Sequence, residues 1–99
     1  MKYWLEQECK DLSDLWLLDE HRSVHAYFGA MIKDMEKWIN HPLYMSYSPV
    51  VIFERHEEEV AEMKNRGWNH KTPIDSTVVS DLQLRWKEMK MKRREVLDV

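Results

Sequence analysis

Apolar positions recur along this chain at the helical period. Leu17, His21, Val24, Phe28, Met31, Met35 and Trp38 follow alternating steps of four and three, a spacing that holds them on one stripe of a helix. His21 is the only polar member of that stripe. The helix starts near Asp11 or Ser13 and spans 11–38. A second stripe, Phe53, His56, Val60 and Met63, again sets a histidine among core positions. Ser48 suits an N-cap and Pro49 the first helical position, while Gly67 suits the residue just past a helix end, so the second helix spans 49–66. Val79, Leu82, Trp86 and Met89 form a third stripe and predict a helix over 77–96. Its start lies between Asp75 and Ser80, and Ser80 and Gln83 have capping-box spacing. Residues 40–48, with Pro42, and "WNHKTPIDST", with Pro73, are loops. Residues 1–10 read as an N-terminal extended arm. The fold class expected is all-α: one domain over 1–99, a three-helix bundle with long connecting loops.

Composition narrows this picture. At 99 residues the chain holds one small core. The single cysteine, Cys9, excludes an intrachain disulfide and a Cys-rich zinc site. No apolar run reaches the length that spans a membrane, and "MKYWLEQECK" has no signal-peptide apolar region; the expected location is cytoplasmic. The net charge of −3 argues against a general duplex-DNA binder. The charge is also unevenly spread. Residues 1–36 carry four basic and eight acidic groups, and residues 82–99 carry six basic and three acidic ones. A phosphate-attracting surface is therefore local. "EEE" at 57–59 reads as a solvated face.

The polar residues of the first two helices hold the candidate chemistry. His21 and His56, on stripes of neighbouring helices, are expected to share a pocket, because unpaired buried imidazoles cost stability. Either one alone reads as a hydrogen-bonded core histidine. With Arg22, His25 and Arg55 they make a polar pocket whose imidazole donors and guanidinium fork suit phosphate. His21 and His25 also have the i,i+4 spacing of a two-histidine metal site. "HRSVH" lacks the glutamate of HExxH and no third ligand is evident along the chain, so no metal and no cofactor are expected. Most aromatic residues are core; Tyr44, Tyr47 or Trp68, on loops, suit stacking on a base.

"LLDEHRSVHAYFGA" at 17–30 and "RHEEEVAEMKNRGWNH" at 55–70 resemble the pyrimidine-dimer DNA glycosylases, the endonuclease V type of phages and its small bacterial relatives. Arg22, the "FGA" at 28–30 and the run Arg66–Asn69 carry the likeness to the phage enzyme. The bacterial relatives share a His-Arg-Glu-Leu-His pattern and a "RHE…EM…RGYNH" pattern. The resemblance covers about residues 3–74 and implies an endonuclease V-like fold. It also implies a chemistry in which the amine of a small second residue, exposed by removal of the initiator methionine, attacks C1′ of the damaged nucleotide. A glutamate just after the helix-one arginine then supports the sugar chemistry and β-elimination.

This sequence departs from that pattern at both places. Ser23 stands at the glutamate position, and a hydroxyl neither carries the charge nor acts as a base near neutral pH. Lys2 is a bulky second residue, expected to leave Met1 in place. Trp16 and Ala26 replace a histidine and an arginine of the phage enzyme, and the chain ends before the family's C-terminal DNA-contacting segment. No catalytic residue is therefore expected. The expected ligand-binding residues are His21, Arg22, His25, Arg55, His56, Trp68 and His70. The leading expectation is a glycosylase-like scaffold that has lost catalysis and binds a nucleotide or nucleotide-derived small molecule. A phage protein sequestering a host immune signalling nucleotide fits the small size and acidity. DNA binding is expected to be weak, membrane binding is not expected, and a homo-oligomer is compatible with the sequence. The alternatives are a DNA glycosylase/AP lyase acting on pyrimidine dimers or other damaged bases, and a helical interaction protein using the basic third helix.

Overall fold

The structure is a computed structural model that describes residues 7–39, 41, 46–70 and 72–97, with side chains described as far as Met91. Tyr44 and most of the expected arm, residues 1–6, lie outside the described residues. Among the described residues a short 3-10 turn at Cys9–Asp11 precedes the long helices α1 (Asp14–Trp38), α2 (Pro49–Asn65) and α3 (Ser76–Leu97). Among the described residues there is no strand, and the fold is all-α, as the periodicity predicts. No described helix is long and apolar enough to cross a membrane.

The ends of the helices are set by local chemistry. Ser13 caps α1, its side chain accepting from the Trp16 N–H at 3.2 Å, so the helix begins three residues later than 11 and Cys9–Asp11 turns rather than extending. Ser48 caps α2 by accepting from Val51 N–H at 3.3 Å, with Pro49 opening the helix. At its far end Gly67 takes φ +82°, a left-handed conformation that a Cβ would strain. Gly67 N–H donates to Lys64 O at 3.0 Å and Trp68 N–H to Met63 O at 2.9 Å, the bond pair of a Schellman motif. Trp68 then packs with Met63, Cys9, Leu12 and Leu17. In α3 the capping group is Asp75, whose Oδ1 accepts from Thr77 N–H at 2.8 Å. Ser80 is interior and donates to Ser76 O. Gln83 instead accepts from Val50 N–H at 3.1 Å, closing the first turn of α2 from the neighbouring helix.

The α1 stripe is buried as its spacing predicts, at Leu17, His21, Val24, Phe28, Met31 and Met35, with Glu20 and Tyr27 added. Val24, Tyr27, Phe28, Met31, Met35 and Ile39 form the main core with Ile52 of α2 and Val79 and Leu82 of α3. Tyr27 is buried because its hydroxyl has a partner: it donates to Tyr47 O at 2.6 Å. Asp34 breaks the α1 backbone with φ −159° and ψ 81°, and its Oδ1 accepts from Lys37 N–H, restarting the last turn. The inward face of α2 is rotated from the predicted stripe: Ile52, Arg55, His56, Glu59 and Met63 are buried, and Phe53 and Val60 only half-buried. Glu59 is therefore not part of a solvated face; it has no exposed surface at all.

Arg66 ties the start of the chain to the end of α2. Its guanidinium donates to Asp14 Oδ1 at 2.8 Å, Leu12 O at 2.6 Å, Cys9 O at 3.2 Å and Glu62 Oε1 at 3.2 Å. This clamp, together with the Gly67 turn, carries the segment after α2 back toward α1.

Candidate functional site

That segment brings His70 to the face of α1 where His21 and His25 lie one turn apart. His56 reaches the same place from α2. The four imidazoles pack directly on one another. His21 stacks on His56 with ring centroids 4.9 Å apart, and its edge meets His25 at 4.5 Å and His70 at 4.8 Å. His56 and His70 lie 5.0 Å apart. One ring nitrogen from each of the four falls within 4.8 Å of the others. The third and fourth histidines not evident from the linear spacing of "HRSVH" are thus supplied by the fold.

His21 Nε2 and His25 Nε2 are 3.1 Å apart. His56 Nδ1 lies 3.0 Å from Glu57 Oε1, a carboxylate that only accepts, so Nδ1 carries the proton and Nε2 the lone pair. His56 Nε2 and His70 Nε2 are buried without a hydrogen-bond partner. Burial first, and then the neighbouring histidines, push the His21 pKa down to about 4. Burial and the nearness of His56 and His70 lower that of His25. Burial also lowers that of His56, against the opposing pull of Glu57. His21, His25 and His56 are therefore uncharged at neutral pH; one Nε2 of the His21–His25 contact donates to the other, and the Nε2 lone pair of His56 is without a partner.

A cleft of about 460 Å³ opens beside the cluster, lined by His21, Arg22, His25, His70 and Thr72. That volume is in the range of small-ligand sites, roughly 300–1,000 Å³. Arg22 stands at the rim, largely exposed, and its guanidinium is 3.7 Å from Asp19. Ser23 is half-buried and its hydroxyl donates to Asp19 O at 3.0 Å, a bond back along its own helix.

Two expected site residues lie elsewhere. Arg55 is 3% exposed and paired with the fully buried Glu20, through Nε to Oε1 and through Nη2 to Oε2 at 3.3 Å. Burial alone would lower its pKa, but the bond to Glu20 and the surrounding carboxylates outweigh it and hold the guanidinium charged. Trp68 serves the Schellman turn, with the Arg66 guanidinium 5.8 Å from its ring. Thr72 and Glu57 are the parts that sequence reasoning missed. Glu57 adjoins His56 in the chain, and adjacent residues in a helix do not normally face each other; Thr72 follows no period.

The chain matches the family described as pyrimidine dimer DNA glycosylase over residues 1–76. No curated protein and no solved structure matches it. The matched span contains α1, α2, the Gly67 turn and all four clustered histidines, and by that match the chain belongs to the pyrimidine dimer DNA glycosylase family.

Proposed function

We propose that this protein binds a nucleotide or nucleotide-derived ligand in the cleft beside the histidine cluster, on a glycosylase scaffold that no longer performs imine chemistry. The observation that carries this reading is the state of Ser23, at the position where the family resemblance implies a glutamate. Its hydroxyl is engaged with the Asp19 carbonyl, and among the described residues no carboxylate lines the cleft. The cleft supplies the rim guanidinium of Arg22, the Thr72 hydroxyl and imidazole edges, a set suited to a phosphate and a flat base. The net charge of −3 further favours a small phosphorylated ligand over duplex DNA, whose affinity rests on many phosphate contacts. In its narrowest form the reading is of a phage protein that sequesters a host signalling nucleotide.

Calorimetry over mono-, di- and cyclic nucleotides, beside a titration of duplex DNA at several salt concentrations, tests the proposal. Micromolar or tighter nucleotide binding is expected, with weak and strongly salt-dependent DNA binding. Arg22→Ala should weaken the nucleotide by roughly 1.5–3 kcal/mol, the worth of a hydrogen bond to a charged group. The second reading, a glycosylase/AP lyase, draws its support from the family match over residues 1–76. It requires a covalent adduct with dimer-containing or abasic DNA that borohydride traps. Such an adduct, or tight salt-resistant DNA binding without any nucleotide response, would replace the first reading by the second.

A further inference from the structure

We propose that His21, His25, His56 and His70 bind a single divalent transition-metal ion, with zinc(II) the best match. Imidazole nitrogen suits zinc, copper and nickel, whereas the absence of oxygen ligands from the set disfavours magnesium and calcium. The inference rests on the packing of the four rings and stands whether or not the cleft takes a nucleotide.

Four observations converge on a cation. One nitrogen from each ring lies within 4.8 Å of the other three, so a single point is close to all of them. Zinc–nitrogen bonds of about 2.0–2.1 Å in a tetrahedron put the ligand nitrogens roughly 3.3 Å apart. The His21–His25 pair is already at 3.1 Å. The widest pair, at 4.8 Å, has to close by about 1.5 Å to reach that geometry. His70 stands outside any helix, after the Gly67 turn, and is the ligand with the most freedom to close.

The second observation is the pair of buried, unpartnered nitrogens, His56 Nε2 and His70 Nε2. A buried polar atom without a partner is costly, and an ion at the centre satisfies both. The third is Glu57. Its carboxylate, 3.0 Å from His56 Nδ1, fixes the tautomer that aims the Nε2 lone pair inward, as outer-shell carboxylates do for metal-bound histidines. The fourth is access. His21, His25 and His70 also line the cleft, which offers the ion a way in. Four neutral ligands fill the tetrahedron and leave the charge of a divalent ion uncompensated, so an anion is favoured in the cleft outside the ligand shell, with Arg22 beside it.

The test uses the metal alone. Protein stripped by a chelator and dialysed is titrated with zinc(II), and in parallel with cobalt(II). One ion per chain is expected, with cobalt giving the intense visible absorption of four-coordinate geometry. His25→Ala and His70→Ala should each weaken binding at least tenfold. Glu57→Gln should weaken it by roughly tenfold, the lower end of the effect of losing an outer-shell partner. His41→Ala, the histidine outside the cluster, should change neither stoichiometry nor affinity. Circular dichroism of His70→Ala checks that the helices persist, and His70→Asn keeps the test open if they do not. Absence of stoichiometric binding, a weak six-coordinate cobalt spectrum, or binding that survives the His25→Ala/His70→Ala double change would each overturn the proposal.

Discussion

Two polar clusters lie between α1 and α2, and their members are neighbours in the chain: Glu20 beside His21, Arg55 beside His56. They are built on opposite terms. Glu20 and Arg55 neutralise each other through a two-point ion pair, with Glu58 adding a longer contact to Arg55 at 3.5 Å. Glu59, close by, is kept protonated by burial and by Glu20, its pKa raised to about 10. The Glu20–Arg55 pair is closed and does not line the cleft beside the histidines, although both oxygens of Glu59 are buried without a hydrogen-bond partner. The histidine cluster holds two buried ring nitrogens without a partner, His56 Nε2 and His70 Nε2, and opens onto a cleft. The contrast separates two uses of buried polarity. Glu20 and Arg55 satisfy each other and tie two helices together; the histidine cluster leaves ring nitrogens unsatisfied, which is why both proposals place a ligand there.

The sharpest way to break this comparison is to unbalance the closed cluster. Arg55→Met leaves the Glu20 carboxylate buried without a countercharge. It should destabilise the fold by about 3–5 kcal/mol, the cost of removing one partner of a buried pair. Chemical denaturation checks this. A loss under 1 kcal/mol would mean that Glu20 takes up a proton or reaches water, and that the pair is not what ties the two helices together.

The open cluster should respond to acid instead. The folded-state pKa of His21 lies below its ordinary value of 6.5, at about 4. Between those values the unfolded chain binds the proton and the folded chain does not, so this stability is fully present above pH 6.5 and is lost as pH falls toward 4. His21 alone should account for roughly 2–3 kcal/mol of that loss, with the lowered His25 and His56 pulling in the same direction. Denaturation midpoints measured across that pH range test it. A flat profile would show that the imidazoles are solvated rather than packed.

Glu59→Gln sharpens the contrast from the other side. Keeping Glu59 protonated at neutral pH costs stability, because its unfolded carboxyl would ionise. The amide has the same shape and needs no proton. The variant should be more stable by about 1–2 kcal/mol near pH 7, with the gain shrinking toward pH 4. The smallest effect belongs to the rim. Arg22 is largely exposed and makes a loose ion pair with Asp19, so Arg22→Ala should change stability by less than about 0.5 kcal/mol. A thermal melt that leaves Arg22→Ala unshifted, beside weakened nucleotide binding, would separate the ligand contact from the scaffold.

Local chemistry wrote much of this molecule directly into the sequence. The α1 stripe, the Ser48–Pro49 start of α2 and the Gly67 stop are legible because capping, proline geometry and the 3.6-residue period act over a few neighbouring residues. His21 and His25 at i,i+4 are legible for the same reason. The placement of Arg55 and Glu59 was not legible. Glu59 stands at helical spacing from Ile52, His56 and Met63, but Val60 fits His56 and Met63 equally well and is apolar, so hydropathy pointed to the wrong face; Arg55 turns inward to meet Glu20 across the interface. Asp34 and Gln83 acted against their simplest local reading for similar reasons, the one breaking a helix that the stripe continues through, the other capping a helix that is not its own. The meeting of His70 with three histidines from α1 and α2 was decided by tertiary structure alone. It depends on the crossing of two helices and on the path of the chain after Gly67, and both are settled by side chains far apart in sequence, Arg66 reaching Asp14, Cys9 and Leu12 among them.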